Sequence, residues 1–240
     1  MRIAVLSDIH ANLVALDAVI ASFDRVQAVW HLGDVVGYGP DPDGVIERLR
    51  GLDATGVRGN HDAAAIGGSE IDWFNPAARI AMEWTRGAIG PASRAWLADL
   101  PVTHVEGDFT LVHGSPRDPT WEYVMTAAVA RANLAALGTA HGLNGHTHRP
   151  VAFVAVGSRT ETRVPRHADT LDLDEGRALL NPGSVGQPRD GSPESSYLVI
   201  DTSAATCTWQ RIPYDVARVQ DAMRAHGLPR VLADRLAVGT

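Results

Sequence analysis

Five short apolar runs in the first 150 residues each stop on a polar cluster, four of them beside a glycine. "RIAVLS" runs into "DIH", "AVWHL" into "GD", "ATGV" into "RGNHD", "TLV" into "HG" and "GLN" into "GHTH". Segments with helical spacing lie between them: "NLVALDAVIASF", with Asn12 as its N-cap, follows the first run, and "VIERLRGL" follows the second. Alternation of short apolar runs with amphipathic segments predicts βαβ units and a parallel sheet. In such sheets the loops after the strands converge, so groups at successive strand ends are brought to one place.

The pattern then changes. Helices are predicted over 76–88, 92–100 and the "TAAVARANLAALG" segment ending at Gly138, then again around 214–226 and 228–237. Between residues 150 and 212 short strand-like runs and turn signals dominate. No Pro-, Gly- or Ser-rich linker divides the chain, so residues 1–240 are expected to form a single domain with a shared core. The acidic stretch 167–176, "HADTLDLDEG", reads as a solvated hairpin tip.

The net charge of −7 argues against a nucleic-acid partner or a membrane surface. No run reaches the roughly 18 apolar residues of a membrane span, and a cytoplasmic location is expected. The 21 basic residues are all arginine, which excludes any mechanism needing a lysine. The single cysteine, Cys207, cannot form an internal disulfide and is expected to be a buried, inert thiol.

The strand-end clusters hold Asp8 and His10, Asp34, Asn60 with His61 and Asp62, His113, and His146 with His148. With His61 and Asp62 set aside, these are two carboxylates, one amide oxygen and four imidazoles, and no thiolate. A catalytic divalent ion usually takes about three protein ligands plus water, so seven donors exceed the needs of one ion. Two ions about 3.5–4 Å apart, sharing a carboxylate, would use them all. On that reading the two histidines of "GHTH" serve different ions.

The ordered blocks "SDIH…GD…GNHD…VHG…GHTH" resemble those of the calcineurin-like metallophosphoesterase superfamily. The resemblance implies an α/β fold, an αββα sandwich of two mixed β-sheets flanked by helices. It places Asp8, His10, Asp34 and His148 around one metal and Asp34, Asn60, His113 and His146 around the other, with Asp34 bridging. It gives His61 the position beside the scissile phosphate, as general acid, and Asp62 the role of orienting it. Phosphoprotein phosphatases carry "GD.VDRG" in the second block, whereas this chain has "GDVVGYG" and lacks the phosphate-gripping arginine. "GDVVGYGP", "HGSPRDP" and "NPGSVGQPRD" look more like the small bacterial phosphodiesterase-like branch.

That branch implies hydrolysis of small phosphodiesters or nucleotide-like molecules by a hydroxide held between two divalent transition-metal ions. Manganese is the preferred ion, with Fe, Zn and Ni compatible with the same donors. An asymmetric dinucleoside polyphosphate hydrolase is the alternative, and a non-enzymatic protein-binding scaffold is a distant third. Arg117 and Arg189, each in a "PRD" triplet, are candidate phosphate clamps, and pairing with the adjacent aspartates is an equal expectation. Tyr38 is a candidate for the rim. Trp73, Phe74, Trp121 and Tyr123 are expected to pack in a core or cap, with a cleft wall as the alternative. Asn181, in "NPGSVG", is expected to be architectural. Oligomeric state is not legible.

Overall fold

A computed structural model describes all residues, 1–240. In chain order the elements are β1 (Arg2–Leu6), α1 (Leu13–Ala21), β2 (Ala28–His31), α2 (Pro42–Gly51), β3 (Thr55–Gly56), α3 (Asn60–Ala65), α4 (Pro76–Ala88), α5 (Pro91–Asp99), β4 (Thr103–Glu106) and β5 (Phe109–Val112). Then come α6 (Ala127–Ala136), β6 (His141–Leu143), β7 (Pro150–Val156), β8 (Arg159–Arg163), β9 (Thr170–Asp172), β10 (Ala178–Pro182), β11 (Ser195–Asp201), β12 (Thr206–Ile212), α7 (Val216–Ala225) and α8 (Arg230–Asp234).

The strands form two six-stranded mixed sheets, ordered β3-β2-β1-β11-β12-β9 and β4-β5-β6-β10-β7-β8. Strands β1, β2 and β3 are parallel, and β1 turns antiparallel to β11, with Val5 opposite Leu198. In the second sheet β5, β6 and β10 are parallel, and β7 runs antiparallel to β10. The βαβ expectation therefore holds for the early strands, and the β-rich stretch completes both sheets rather than making a third layer.

The period-two geometry of β1 shows why its sequence is apolar throughout. Ile3 and Val5 face the space between the sheets, beside Leu111, Leu143, Leu180 and Leu198. Ala4 and Leu6 face the other way, under Leu16, Val19, Ile46 and Leu49 of α1 and α2. A strand covered on both faces needs no polar alternation. Helix α6 covers the outside of the second sheet through Ala130 and Leu134 against Phe153 and Leu179. The result is helices, sheet, sheet, helix, in which the layers share the inter-sheet core.

Helix starts follow local chemistry. The Asn12 side chain accepts from Ala15 N–H at 3.0 Å, and Asp41, Asn75 and Thr126 cap α2, α4 and α6 in the same way. Residues 167–176 depart from the expected solvated tip. Thr170–Asp172 pairs with β12 as an edge strand, and Leu171 and Leu173 are buried in the inter-sheet core. Alternation of Leu with Asp was the strand signal there, masked by the acidic composition. Cys207 is buried in that core, and burial pushes its thiol up to about 12, so the inert reading holds.

His31, at the end of β2, is wholly buried, and neither ring nitrogen has a partner. It lies against Gly56 and Trp96, the indole centroid 5.6 Å away, and burial lowers it to about 4. A histidine lowered on folding leaves stability intact above its unfolded value near 6.5 and removes it progressively as pH falls toward 4. Between pH 7 and pH 5 this site should cost the native chain about 2 kcal/mol. Urea titrations at the two pH values should therefore show His31→Phe losing about 2 kcal/mol less on acidification than the native chain. An identical acid loss in both would remove His31 from the account.

Candidate metal centre

The five strand-end blocks meet at one end of the sandwich, and the backbone bends to bring them there. Asp8, His10, Asp34, His146 and His148 all have left-handed backbone, with φ of 52°, 50°, 51°, 65° and 58°. Non-glycine residues rarely adopt this region, and it persists where surrounding bonds over-determine it. Here they do: Asp8 N–H donates to Gly33 O (3.1 Å) and His10 N–H to Asp34 O (2.9 Å). Gly186 N–H donates to Asp8 O (3.0 Å) and Ser184 Oγ–H to the same oxygen (2.7 Å). Gly59 lies so close to the Asp34 side chain that a Cβ there would collide with it.

The left-handed turns also modify the reading of "GHTH". His146 and His148 are not alternate residues of an extended strand, and each turns to a different cluster. Asp8, His10, Asp34 and His148 form one set of converging donor atoms, and Asp34, His113 and His146 form the other. Asn60 joins the second, its Oδ1 3.0 Å from His113 Nε2. All seven residues are buried. Asp34 Oδ2 lies between the sets, 3.7 Å from His10 Nε2 and 3.3 Å from His113 Nε2, while its Oδ1 accepts from His61 N–H at 2.9 Å.

Proton bookkeeping shows what this arrangement is built to hold. His10 Nδ1 lies 3.2 Å from Val36 O, His113 Nδ1 2.8 Å from Leu32 O and His148 Nδ1 2.6 Å from Gln187 O. A carbonyl only accepts, so each Nδ1 carries the hydrogen and each Nε2 presents a lone pair. Yet His10 Nε2 and His148 Nε2 are 3.1 Å apart, and His113 Nε2 is 3.0 Å from both His146 Nδ1 and Asn60 Oδ1. Asp8 Oδ1 and His146 Nε2 are buried without a hydrogen bond, although Asp8 Oδ1 lies only 3.3 Å from His148 Nε2. Lone pairs converging at such distances need a cation among them, and imidazole fixed by a backbone carbonyl is the usual support of a metal ligand. The residues therefore fit divalent metal.

The electrostatics agree for three of the four histidines. Burial lowers His10 and His148 far below the usual histidine range and His146 to about 3, keeping them as neutral ligands. Burial, reinforced by the Asp34 charge, raises Asp8 to about 7. Burial also works against ionised Asp34, yet His113 and His61 outweigh it and hold the carboxylate well below its ordinary range. Burial opposes a His113 cation, but Asp34 prevails and pushes it up to about 9. Without a metal, protons take over part of its role, so metal uptake displaces them.

His61 stands beside the donor sets. Its ring stacks on Phe74 (centroids 4.3 Å, 26°) and meets His10 edge-on at 4.9 Å. Nδ1 is buried against Gly37 without a partner, which leaves Nε2 as the nitrogen open to the cleft. Burial lowers the ring to about 4.

Asp62 does not orient His61. Its Oδ1 accepts from Val36 N–H (3.1 Å) and its Oδ2 from Gly59 N–H (3.0 Å), tying the loop after β2 to the start of α3. Burial and the Asp34 charge raise it to about 7, against the pull of these two bonds. Arg117 also departs from expectation: it is half exposed, 3.7 Å from Glu122, and outside the cleft. Arg189 does line the cleft, since the neighbouring Asp190 pairs with Arg211 instead. Its Nη2 is 2.9 Å from Gln187 Oε1 and 3.5 Å from the Tyr38 hydroxyl. Tyr38 is buried at the cleft edge, with its ring 4.7 Å from that of His10.

The cleft over the donors has a volume of about 200 Å³. Trp73, Phe74, Trp121 and Tyr123 all line it, so the wall alternative holds for Trp73, Trp121 and Tyr123, while Phe74 also keeps the expected packing against the core. Trp73 is 82% exposed, and Tyr123 stacks on His146 with centroids 3.9 Å apart. Arg235 also lines the cleft and was not singled out from sequence, because it sits in no motif and far along the chain. Asn181 is architectural: its Nδ2 donates to Gly145 O (2.7 Å) and Thr147 Oγ1 (3.0 Å), fixing the "GHTH" loop.

A two-sheet sandwich with buried Asp, Asn and His donors converging at one end, together with the matches that follow, defines a metal-dependent phosphoester hydrolase. The family model described as the calcineurin-like phosphoesterase superfamily domain matches residues 1–205, and the chain belongs to that superfamily. The chain is 35% identical over 246 residues to an uncharacterized protein of Methanocaldococcus jannaschii, across 99% of this chain and 98% of that one. The crystal structure of a metallophosphoesterase from Sphaerobacter thermophilus superposes with a TM-score of 0.93 at 44% identity, covering 100% of this chain and 99% of the other. A hypothetical protein from Pyrococcus horikoshii shares the fold, with a TM-score of 0.80 at 20% identity, over 100% of this chain and 98% of its own.

Asp62→Ala should lower the unfolding free energy of metal-free protein by about 2–4 kcal/mol, because it strands two buried N–H groups. Urea denaturation measures this. A variant as stable as the native chain would mean the Val36 and Gly59 bonds hold nothing together.

Proposed function

We propose that the chain is a binuclear metal-dependent phosphodiesterase acting on phosphodiester or nucleotide-like small molecules. The reading covers residues 1–240 as one domain working in the cytoplasm, with manganese as the preferred ion and Fe, Zn or Ni able to replace it. The observation that carries it is the pair of converging donor sets joined at Asp34 Oδ2. Asp8, His10, Asp34 and His148 would hold one ion, and Asp34, Asn60, His113 and His146 the other. When bound, such ions supply Lewis acidity toward water and toward phosphoryl oxygens at neutral pH.

The chain's own groups then have separable tasks. Asp34 spans both sets and is kept ionised by the surrounding imidazoles, so it fixes their spacing. His61 Nε2 faces the cleft and provides the hydrogen bond or proton to the leaving oxygen as its bond to phosphorus breaks and the bond from water forms. Its position is set by stacking on Phe74 and by its backbone bond to Asp34, not by Asp62. Arg189 offers a guanidinium to the non-bridging oxygens, with Tyr38 and Gln187 holding its orientation. Neutral aromatic walls suit the organic part of a phosphodiester, which has no second ionised oxygen pair to satisfy.

The four aromatic residues around the cleft also favour a second reading, a dinucleoside polyphosphate hydrolase with a base stacked at the wall. Side-by-side turnover of bis-p-nitrophenyl phosphate, p-nitrophenyl phosphate and diadenosine tetraphosphate separates the two. Metal-stripped protein should be inactive, and Mn²⁺ should restore diester turnover. His61→Ala should lower kcat about 10²- to 10⁴-fold while leaving metal content unchanged by elemental analysis. Loss of metal along with activity in that variant would return His61 to a structural role. Asp34→Ala should drop bound metal from two ions per chain to one or none, and two retained ions would end the bridging assignment.

A further inference from the structure

Four strands that lead into metal donors begin around a second cavity, at the far end of the sandwich. Ile3 of β1, Trp30 of β2, Phe109 of β5 and His141 of β6 line it, and Asp8, Asp34, His113 and His146 follow past the other ends of those strands. From Ile3 to Asp8 is about 15 Å of extended chain, so the two sites are separate. The cavity has a volume of about 260 Å³ and lies between the sheets. Its mouth is framed by the β4–β5 turn at Gly107 and Asp108 on one sheet, and by Thr202, Ala205 and Asp174 on the other.

The floor of this cavity is aromatic and its lip acidic. Trp30 and Phe109 meet edge-on with centroids 5.8 Å apart, and the His141 ring follows Phe109 at 5.3 Å, which makes a row of three rings. His141 shares its strand face with Leu143, which is buried in the inter-sheet core, so the imidazole points into the same space. It is 7% exposed, yet its Nδ1 is buried with no hydrogen bond. Burial lowers the ring, which is therefore neutral at pH 7, and whichever nitrogen carries the hydrogen, the other offers a lone pair. Glu106, Asp108 and Asp174 stand around the row. Asp108 and Asp174 form no ion pair, and Glu106 has only His104, with Oε2 3.4 Å from Nε2. The cations nearby are engaged elsewhere. The Met1 ammonium, which also lines the cavity, donates to Thr202 Oγ1 at 2.9 Å and feels the charge of Asp201, while Arg177 donates to Leu137 O and Thr139 O.

We propose that this cavity binds a small aromatic cation, an amine whose ring enters beside Trp30, Phe109 and His141 while its ammonium stays at the lip with Asp108 and Asp174. Aromatic side chains take a flat ring by stacked or edge contact, and carboxylates hold an ammonium by charge-assisted hydrogen bonds. The imidazole lone pair, left without a donor by the fold, accepts an N–H from the same ligand. An anion of equal shape would meet like charge at the mouth. The volume falls below the roughly 300–1,000 Å³ of sites for drug-sized molecules, which limits the ligand to about two rings. The site uses none of the metal donors and does not depend on the phosphodiesterase reading.

Ligand-observed NMR titration of the metal-loaded protein with tryptamine and with indole-3-propionate, which carry the same ring and opposite charges, tests this. Tryptamine should bind about tenfold or more tightly than the acid. The double variant Asp108→Asn/Asp174→Asn alters only exposed side chains, so it should keep the native melting temperature and lose most of that difference. His141→Phe keeps a ring and removes the lone pair, and it should weaken tryptamine several-fold. Trp73→Ala, at the metal-centre cleft, should leave tryptamine binding unchanged. Equal affinity for the two compounds, or no binding of tryptamine at millimolar concentration, would overturn the proposal. So would tryptamine binding that Trp73→Ala removes and the carboxamide variant leaves intact, since the amine would then sit over the metal donors instead.

Discussion

Three backbone carbonyls, those of Leu32, Val36 and Gln187, fix the chemistry of this molecule. Each takes the Nδ1 hydrogen of a buried histidine and so forces the Nε2 lone pair inward, where other lone pairs already point. The interior would reject such a cluster, since unpaired polar atoms are costly out of water. It becomes favourable once a cation enters. The fold around it follows from the same requirement: parallel strands to deliver the donors to one end, left-handed turns to aim them, and glycines where loops cross too closely for a side chain.

Support for these donors is distributed through the chain. The loop from Asn181 to Gln187 binds the backbone at Ser7 and Asp8, steadies "GHTH" through Asn181, and holds His148 through the Gln187 carbonyl. Asp62, wholly buried, bonds two amides on different loops, a use for a carboxylate that adds rigidity without touching substrate. Five donors in strained backbone conformations are sustained because each is held from more than one side.

Much of this was legible in the sequence. The seven donors stand at strand ends, and their order along the chain maps onto adjacent strands, so local patterning located them. Residues whose role depends on side-chain direction were not legible. Asp62 follows His61 directly, yet on α3 consecutive side chains diverge, and the carboxylate turns to the helix start. Arg117 and Arg189 share the triplet "PRD", but Asp118 accepts from the backbone N–H groups of Thr120 and Trp121 while Asp190 pairs with Arg211, leaving only Arg189 over the cleft. Arg235 reaches the site through tertiary packing alone, for which a single sequence offers no periodic signal. Strand β4 was missed for a similar reason: it is largely exposed and short, and it exists through pairing with β5.

The pairing of β1 with β11 has a consequence for biosynthesis. Asp8 follows a strand whose partner begins at Ser195, and the carbonyl that fixes His148 lies at Gln187. A chain of which only the first 150 residues have emerged holds all seven donors and β2 on one side of β1, but lacks the strand on its other side and the bonds from Ser184 and Gly186 that fix the Asp8 carbonyl. Such a nascent chain presents scattered histidines and carboxylates to any passing ion, without the geometry that distinguishes one ion from another. The complete pair of donor sets therefore forms late in synthesis, once the loop that carries Gln187 and the strand that flanks β1 have joined the first sheet.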